Sequence, residues 1–142
     1  MKLRFSLMAT LFVLFVGIVP SERFHLYNRI ANFDKVMHFL GGFVIAWLLW
    51  NLFYTDLKKL SWFSFIFFLM SGVIFIGVLW EFTEYVSGVY LSNAQSPILS
   101  IFYRYFHGGD LLDTLLDLAI DMVGALPLII GTLWSRKHNS IS

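Results

Sequence analysis

Apolar residues along this chain run in four blocks, at residues 5–19, 36–54, 61–86 and 111–134, and the polar residues between them gather at block ends. Each block approaches the roughly 20 residues a helix needs to cross a bilayer. The pattern predicts an all-α integral membrane protein, a bundle of four transmembrane helices forming a single transmembrane domain over residues 1–142. The third block is long enough to tilt or to reach into the headgroups. Lys2 and Arg4 ahead of the first block resemble the start of a signal peptide, but Val19-Pro20-Ser21 offers no small-x-small cleavage site. The first block therefore reads as an uncleaved anchor. Residues 90–106 begin too polar to span, yet carry Ile98, Leu99, Ile101, Phe102, Tyr103, Tyr105 and Phe106. They predict a short interfacial helix between the third and fourth spans, with Arg104 as a lipid phosphate contact.

The polar residues inside the blocks carry the functional signal. Asp34 and His38 are spaced i,i+4, Glu81 and Glu84 i,i+3, and Asp110, Asp113, Asp117 and Asp121 advance by three, four and four. On a helix each set forms one stripe. A charged residue at the centre of a transmembrane helix costs about 2.5–3.5 kcal/mol on insertion scales, so stripes facing lipid are untenable and the three must face one another. With antiparallel neighbours, the start of the second span, the end of the third and the start of the fourth lie at one face, which predicts a shared pocket opening there.

Composition narrows the chemistry. With 58% hydrophobic and 13% charged residues the chain lies far from soluble averages. A net charge of +1 without a basic stripe argues against nucleic acid. No cysteine is present, so disulfides, thiol nucleophiles and Cys-ligated zinc are excluded. Lys2, Arg4, Lys58, Lys59, Arg136 and Lys137 oppose Arg23, Arg29, Lys35 and Arg104, and the positive-inside rule then places both termini in the cytoplasm of a cell (inner) membrane and the pocket on the outer side.

Six carboxylates near one lysine and one histidine need neutralising. A divalent metal (Zn, Mn, Fe or Mg) held by oxygen and imidazole does this, and so does protonation of buried acids. Sequence leaves the two open. On the metal reading His38, Glu84, Asp113 and Asp117 are the ligands, Glu81 is the general base that deprotonates the attacking water, and Lys35 stabilises a developing anion or holds a phosphate. Asp34, Asp110 and Asp121 orient the ligands or serve structure, Asp34 and Asp110 as helix-start residues. His107, beside Gly108-Gly109, reads as a loop residue. The expected partner is a membrane lipid or lipid-linked substrate, with a second copy of the chain as a candidate for closing the pocket. The competing functions are a proton- or cation-coupled carrier subunit and a non-catalytic envelope or assembly protein.

Three ordered motifs add a resemblance. Asp34-Lys35-Val36-Met37-His38-Phe39 resembles the D-K/R-x-x-H-F start of VanZ-like and YjdF-like bacterial inner-membrane proteins. Glu81-Phe82-Thr83-Glu84-Tyr85 is similar to the YjdF-like E-x-x-E-W/Y, and Gly109-Asp110, Asp113, Asp117-Leu118 and Gly124-Ala125 to its G-D-x-x-D-x-x-x-D-M…G-A run. Asp121 stands where the VanZ-like pattern has Asn, and YjdF-like proteins carry additional N-terminal helices. The resemblance spans residues 30 to 131 and implies a cell-envelope membrane protein. Its VanZ-like side implies a theme of resistance to teicoplanin-type antibiotics, with no reaction attached.

Overall fold

A computed structural model describes residues 2–24, 26–90 and 111–139, and every element in them is helical. In chain order these are α1 (Lys2–Phe24), α2 (Leu26–Arg29), α3 (Phe33–Leu52), α4 (Tyr54–Leu57), α5 (Trp62–Tyr90) and α6 (Leu111–Asn139). Phe33–Leu52, Trp62–Val86 and Leu111–His138 are long and apolar enough to cross a membrane. These coincide with three of the four expected spans. The remaining one, residues 5–19, lies within α1, which packs along α3 and stays helical through Pro20. The expected interfacial helix, with Arg104, His107 and Asp110, lies outside the described residues.

One stripe of side chains on each of three helices builds the interior. On α3 it reads Asp34, His38, Gly42, Ala46; on α5, from the same end, Glu81, Gly77, Val73, Leu69, Phe65; on α6, Asp113, Asp117, Asp121, Ala125, Ile129. Every step is four residues, a drift of about 40° on a helix of 3.6 residues per turn, so neighbours in each stripe share a face while the stripe winds slowly around its helix. His38, Glu81, Asp117 and Asp121 are buried at one end, whereas Ala46, Phe65, Leu69, Val73, Ala125 and Ile129 form the apolar core at the other. The bundle is thus half polar cluster and half hydrocarbon core, divided along its length.

Glycines set the spacing where the two halves meet. A Cβ on Gly42 would land on the backbone carbonyl of Asp121, and one on Gly124 on the carbonyl of Phe39. Only hydrogen at both positions lets α3 and α6 approach this closely. The close approach is what brings the α3 and α6 polar residues within reach of each other. Gly77 plays the same part on α5, since a Cβ there would fall 2.6 Å from Asp121 Oδ2. Outward, Phe63, Phe67, Phe75, Phe82, Val123 and Ile130 are exposed, as suits helices bathed in lipid rather than water.

Opposite the polar end, Arg136 ties the α3–α5 connection to α6. Its guanidinium donates to the carbonyls of Leu57 (2.7 Å) and Leu60 (3.2 Å) and stands 4.4 Å from the Phe65 ring centroid. The Leu57 carbonyl, which also accepts the Leu60 N–H at 3.2 Å, and the Leu60 carbonyl are thereby bonded to one side chain.

Candidate functional site

The α3 stripe begins just after Asn32, whose φ of 60° places it in the left-handed region that Asn tolerates. That turn sends the chain into α3 with Asp34 and Lys35 in its first turn. Lys35 reaches across to α6, where its ammonium donates to Asp113 Oδ1 at 2.6 Å and Asp117 Oδ1 at 2.6 Å; the third contact is to Asp34 Oδ2 on its own helix, at 3.2 Å. A lysine has three donors, and all are used. Lys35 therefore acts in this structure as the internal counter-ion of three aspartates.

One turn deeper stands His38. Its Nδ1 lies 3.3 Å from Asp121 Oδ1. An ionised carboxylate only accepts, so this contact assigns the Nδ1 proton to the pair and leaves Nε2 as the ring's other face. Around Nε2 are three carboxylate oxygens from three helices: Glu81 Oε1 at 3.7 Å, Asp34 Oδ1 at 3.8 Å and Asp117 Oδ1 at 3.9 Å. These separations are too long for hydrogen bonds. A lone pair facing three anionic oxygens in a buried site is repulsive unless a proton or a metal cation lies among them.

Glu81 sharpens the point. Its side chain is 8% exposed, its Oε2 accepts a 2.9 Å hydrogen bond from Thr114 Oγ1, and its Oε1, aimed at His38, is buried without a hydrogen-bond partner. Such orphaned buried oxygens are rare, and an ion or a water is what ordinarily satisfies them. Asp34, His38 and Asp117 each offer one ligand atom, all within 4.8 Å of one another. Tetrahedral coordination with bonds of about 2.0–2.1 Å sets neighbouring ligand atoms about 3.3 Å apart, so Asp34 and Asp117, at 3.8 and 3.9 Å from His38 Nε2, would each close on the ring by about half an ångström, and the widest separation in the group by up to about 1.5 Å.

Burial grades from mouth to floor. Asp113 is 45% and Asp34 37% exposed, while Asp117 is 4% exposed. Access is from the end of the bundle. Beside the floor, a half-enclosed cavity of about 100 Å³ lies between α1, α3 and α5, with His38 and Asp121 on its wall and otherwise apolar lining such as Val13, Ile45 and Ile76.

Of the residues singled out in the sequence, the structure brings Asp34, Lys35, His38, Glu81, Asp113, Asp117 and Asp121 together. Their arrangement differs from the expected one in two respects. The compact three-ligand group contains Asp34, where Glu84 and Asp113 had been expected. Asp113 faces Lys35, and Glu84 is half-buried a turn beyond Glu81. Thr114 was missed, although its place three residues before Asp117, on the edge of the same stripe, was the available signal.

Residues 2–138 match the family described as "Predicted membrane protein (DUF2238)", and the chain belongs to that family. An uncharacterized protein of Thermotoga maritima is 33% identical over 116 residues, which cover 78% of this chain and 52% of the relative. The chain thus spans about half the length of that relative. No solved structure matches it. Family membership establishes a membrane protein, and the VanZ-like and YjdF-like resemblance rests on the three motifs alone.

Proposed function

We propose that this DUF2238 member is a divalent-metal-dependent membrane enzyme, acting by hydrolysis or group transfer on a lipid or lipid-linked envelope intermediate. One observation carries the reading: a buried imidazole nitrogen faces three carboxylate oxygens from three helices, one of them an orphaned glutamate oxygen. Asp34, His38 and Asp117 hold the ion, with Asp121 fixing the His38 ring through Nδ1, the outer carboxylate that metal-binding histidines commonly have. Oxygen and imidazole donors suit Zn, Mn, Fe(II) or Mg. Such an ion supplies Lewis acidity toward a phosphoryl or carbonyl oxygen and eases deprotonation of water.

The chain's own residues do the rest. Glu81 Oε1 accepts the proton of the attacking water, and Thr114, bonded to Oε2, holds the carboxylate in that orientation. Lys35 holds Asp34 and Asp117 in place through its ammonium contacts; a substrate phosphate would draw it from one of its aspartates, most readily the exposed Asp113. Because the mouth lies at a helix end in a membrane bundle, a headgroup-level substrate fits better than a soluble one. The exposed apolar side chains of α1, including Leu7, Met8, Leu11, Phe12 and Phe15, support α1 as a fourth span. The charge asymmetry of the connections supports cytoplasmic termini and an outward-facing site, and the motif resemblance supports a place in the bacterial envelope.

Turnover tests this reading. In mixed micelles of lipid phosphates, the purified chain should release product with Mn²⁺ or Zn²⁺ and not with chelator, and Glu81→Gln should lose about 10²–10⁴-fold of the rate while still binding metal. Absence of metal-dependent turnover across lipid phosphate and ester substrates would remove the enzymatic reading.

A second reading has its own support. Asp34, Asp117, His38 and Asp121 form a continuous polar line into the bundle, which ends beside a cavity, as a proton- or cation-coupled carrier subunit would need. Ion flux in reconstituted vesicles that is lost in Asp121→Asn would favour it.

A further inference from the structure

We propose that the groove at the opposite end of the bundle binds an anionic phospholipid, its phosphate at a cationic rim and one acyl chain along an apolar floor. The proposal is independent of the metal reading. The groove occupies about 690 Å³ where α1 begins and α3 and α6 end. Lys2, Lys58 and Arg136 stand on its wall, supplied by three separate segments, and no acidic residue lines it among the described residues.

The cations are arranged to receive a ligand. Among the described residues neither Lys2 nor Lys58 pairs with a carboxylate, and the nearby Asp56 contacts Lys59 instead, at 3.7 Å. Lys58 Nζ sits 5.5 Å from the Tyr54 ring centroid. Arg136 is fixed by the Leu57 and Leu60 carbonyls, to which Nη2 and Nη1 each give one of their two N–H donors, and by the Phe65 ring. A guanidinium held in place beside two lysines is the kind of group that recognises phosphate. The Tyr54, Thr132 and Ser135 hydroxyls add donors on the same wall.

Lipid rather than a soluble anion follows from the floor. Phe43, Pro127 and Leu128 continue the groove away from the cations toward the middle of the spans, and a Cβ at Gly131 would meet nothing within 4 Å. A free phosphate would leave that apolar length unfilled. A phospholipid matches both ends at once, charge to charge and chain to hydrocarbon.

Native mass spectrometry of the full chain in mild detergent, offered equimolar phosphatidylglycerol and phosphatidylcholine with identical acyl chains, tests the proposal. Phosphatidylglycerol should be retained preferentially, and its binding constant should fall about fivefold for each lysine removed in Lys2→Gln and Lys58→Gln. Gly131→Leu, which fills open space without changing charge, should weaken both lipids. Equal retention of the two lipids by the unsubstituted chain would overturn the proposal, as would a phosphatidylglycerol preference that is undiminished in the double lysine variant. Retention of inorganic phosphate with no lipid preference would assign the groove to a soluble anion and overturn it equally.

Discussion

His38 and Asp121 lie on facing helices with Nδ1 3.3 Å from Oδ1, and Asp121 is also the residue whose backbone carbonyl lies against Gly42. One aspartate thus orients the imidazole and marks the closest helix approach. Asp121→Asn retains size and removes the charge that stabilises the Nδ1 proton. Metal affinity, measured by competition with a chromogenic chelator, should drop about 10–100-fold while helix content is retained.

Lys35 is the counter-ion of the site, and its removal should show in stability. Lys35→Met leaves Asp34, Asp113 and Asp117 without their ammonium. Breaking a buried ion network of this kind costs about 3–5 kcal/mol, lessened here because Asp113 and Asp34 are partly exposed. Thermal unfolding in detergent should fall clearly below that of the unsubstituted chain, and saturating divalent cation should recover part of the loss. An unchanged Tm in metal-free buffer would show that Lys35 is not the counter-ion.

Glycine substitutions separate close approach from open space. Gly42→Ala and Gly124→Ala drive a methyl group into the facing backbone and should destabilise by at least about 1–3 kcal/mol through forced separation of α3 and α6. Gly41→Ala, whose Cβ would meet only Asp121 Oδ1 at 3.9 Å, and Gly131→Ala, which meets nothing, should be neutral or stabilising by up to about 1 kcal/mol. Denaturation midpoints of the four variants check the contrast.

Thr114 carries a narrower prediction. Thr114→Val conserves shape but strips the hydrogen bond from Glu81 Oε2, leaving both oxygens of a buried carboxylate without a donor. The cost should be about 1–3 kcal/mol in the metal-free chain, measured by unfolding. Thr114→Ser should restore it.

The polar stripes could be read in the sequence because four-residue steps keep Asp34 with His38, and Asp113 with Asp117 and Asp121, on one face whatever the packing. The same arithmetic located α3, α5 and α6. What it could not supply was the rotation and depth of one helix against another. Glu81 and Glu84 lie a turn apart on α5, and only the contact of Gly77 with Asp121 decides that Glu81 reaches Nε2 while Glu84 lies a turn beyond. Asp34 read as a helix cap, yet no side-chain cap bond forms at the start of α3, and its carboxylate divides between Lys35 and His38. Gly42 and Gly124 stand inside apolar helices, where small residues let neighbours approach. Their pairing across helices, Gly42 on Asp121 and Gly124 on Phe39, depends on a register that no local pattern encodes.

Elemental analysis of the purified chain, prepared without chelator and compared with His38→Ala of equal helix content, tests the central claim most directly. The site described here predicts about one divalent ion per unsubstituted chain and close to none in the variant. A folded, unsubstituted chain that takes up no Zn, Mn, Fe or Mg when each is supplied, or a variant that retains its metal, would contradict it.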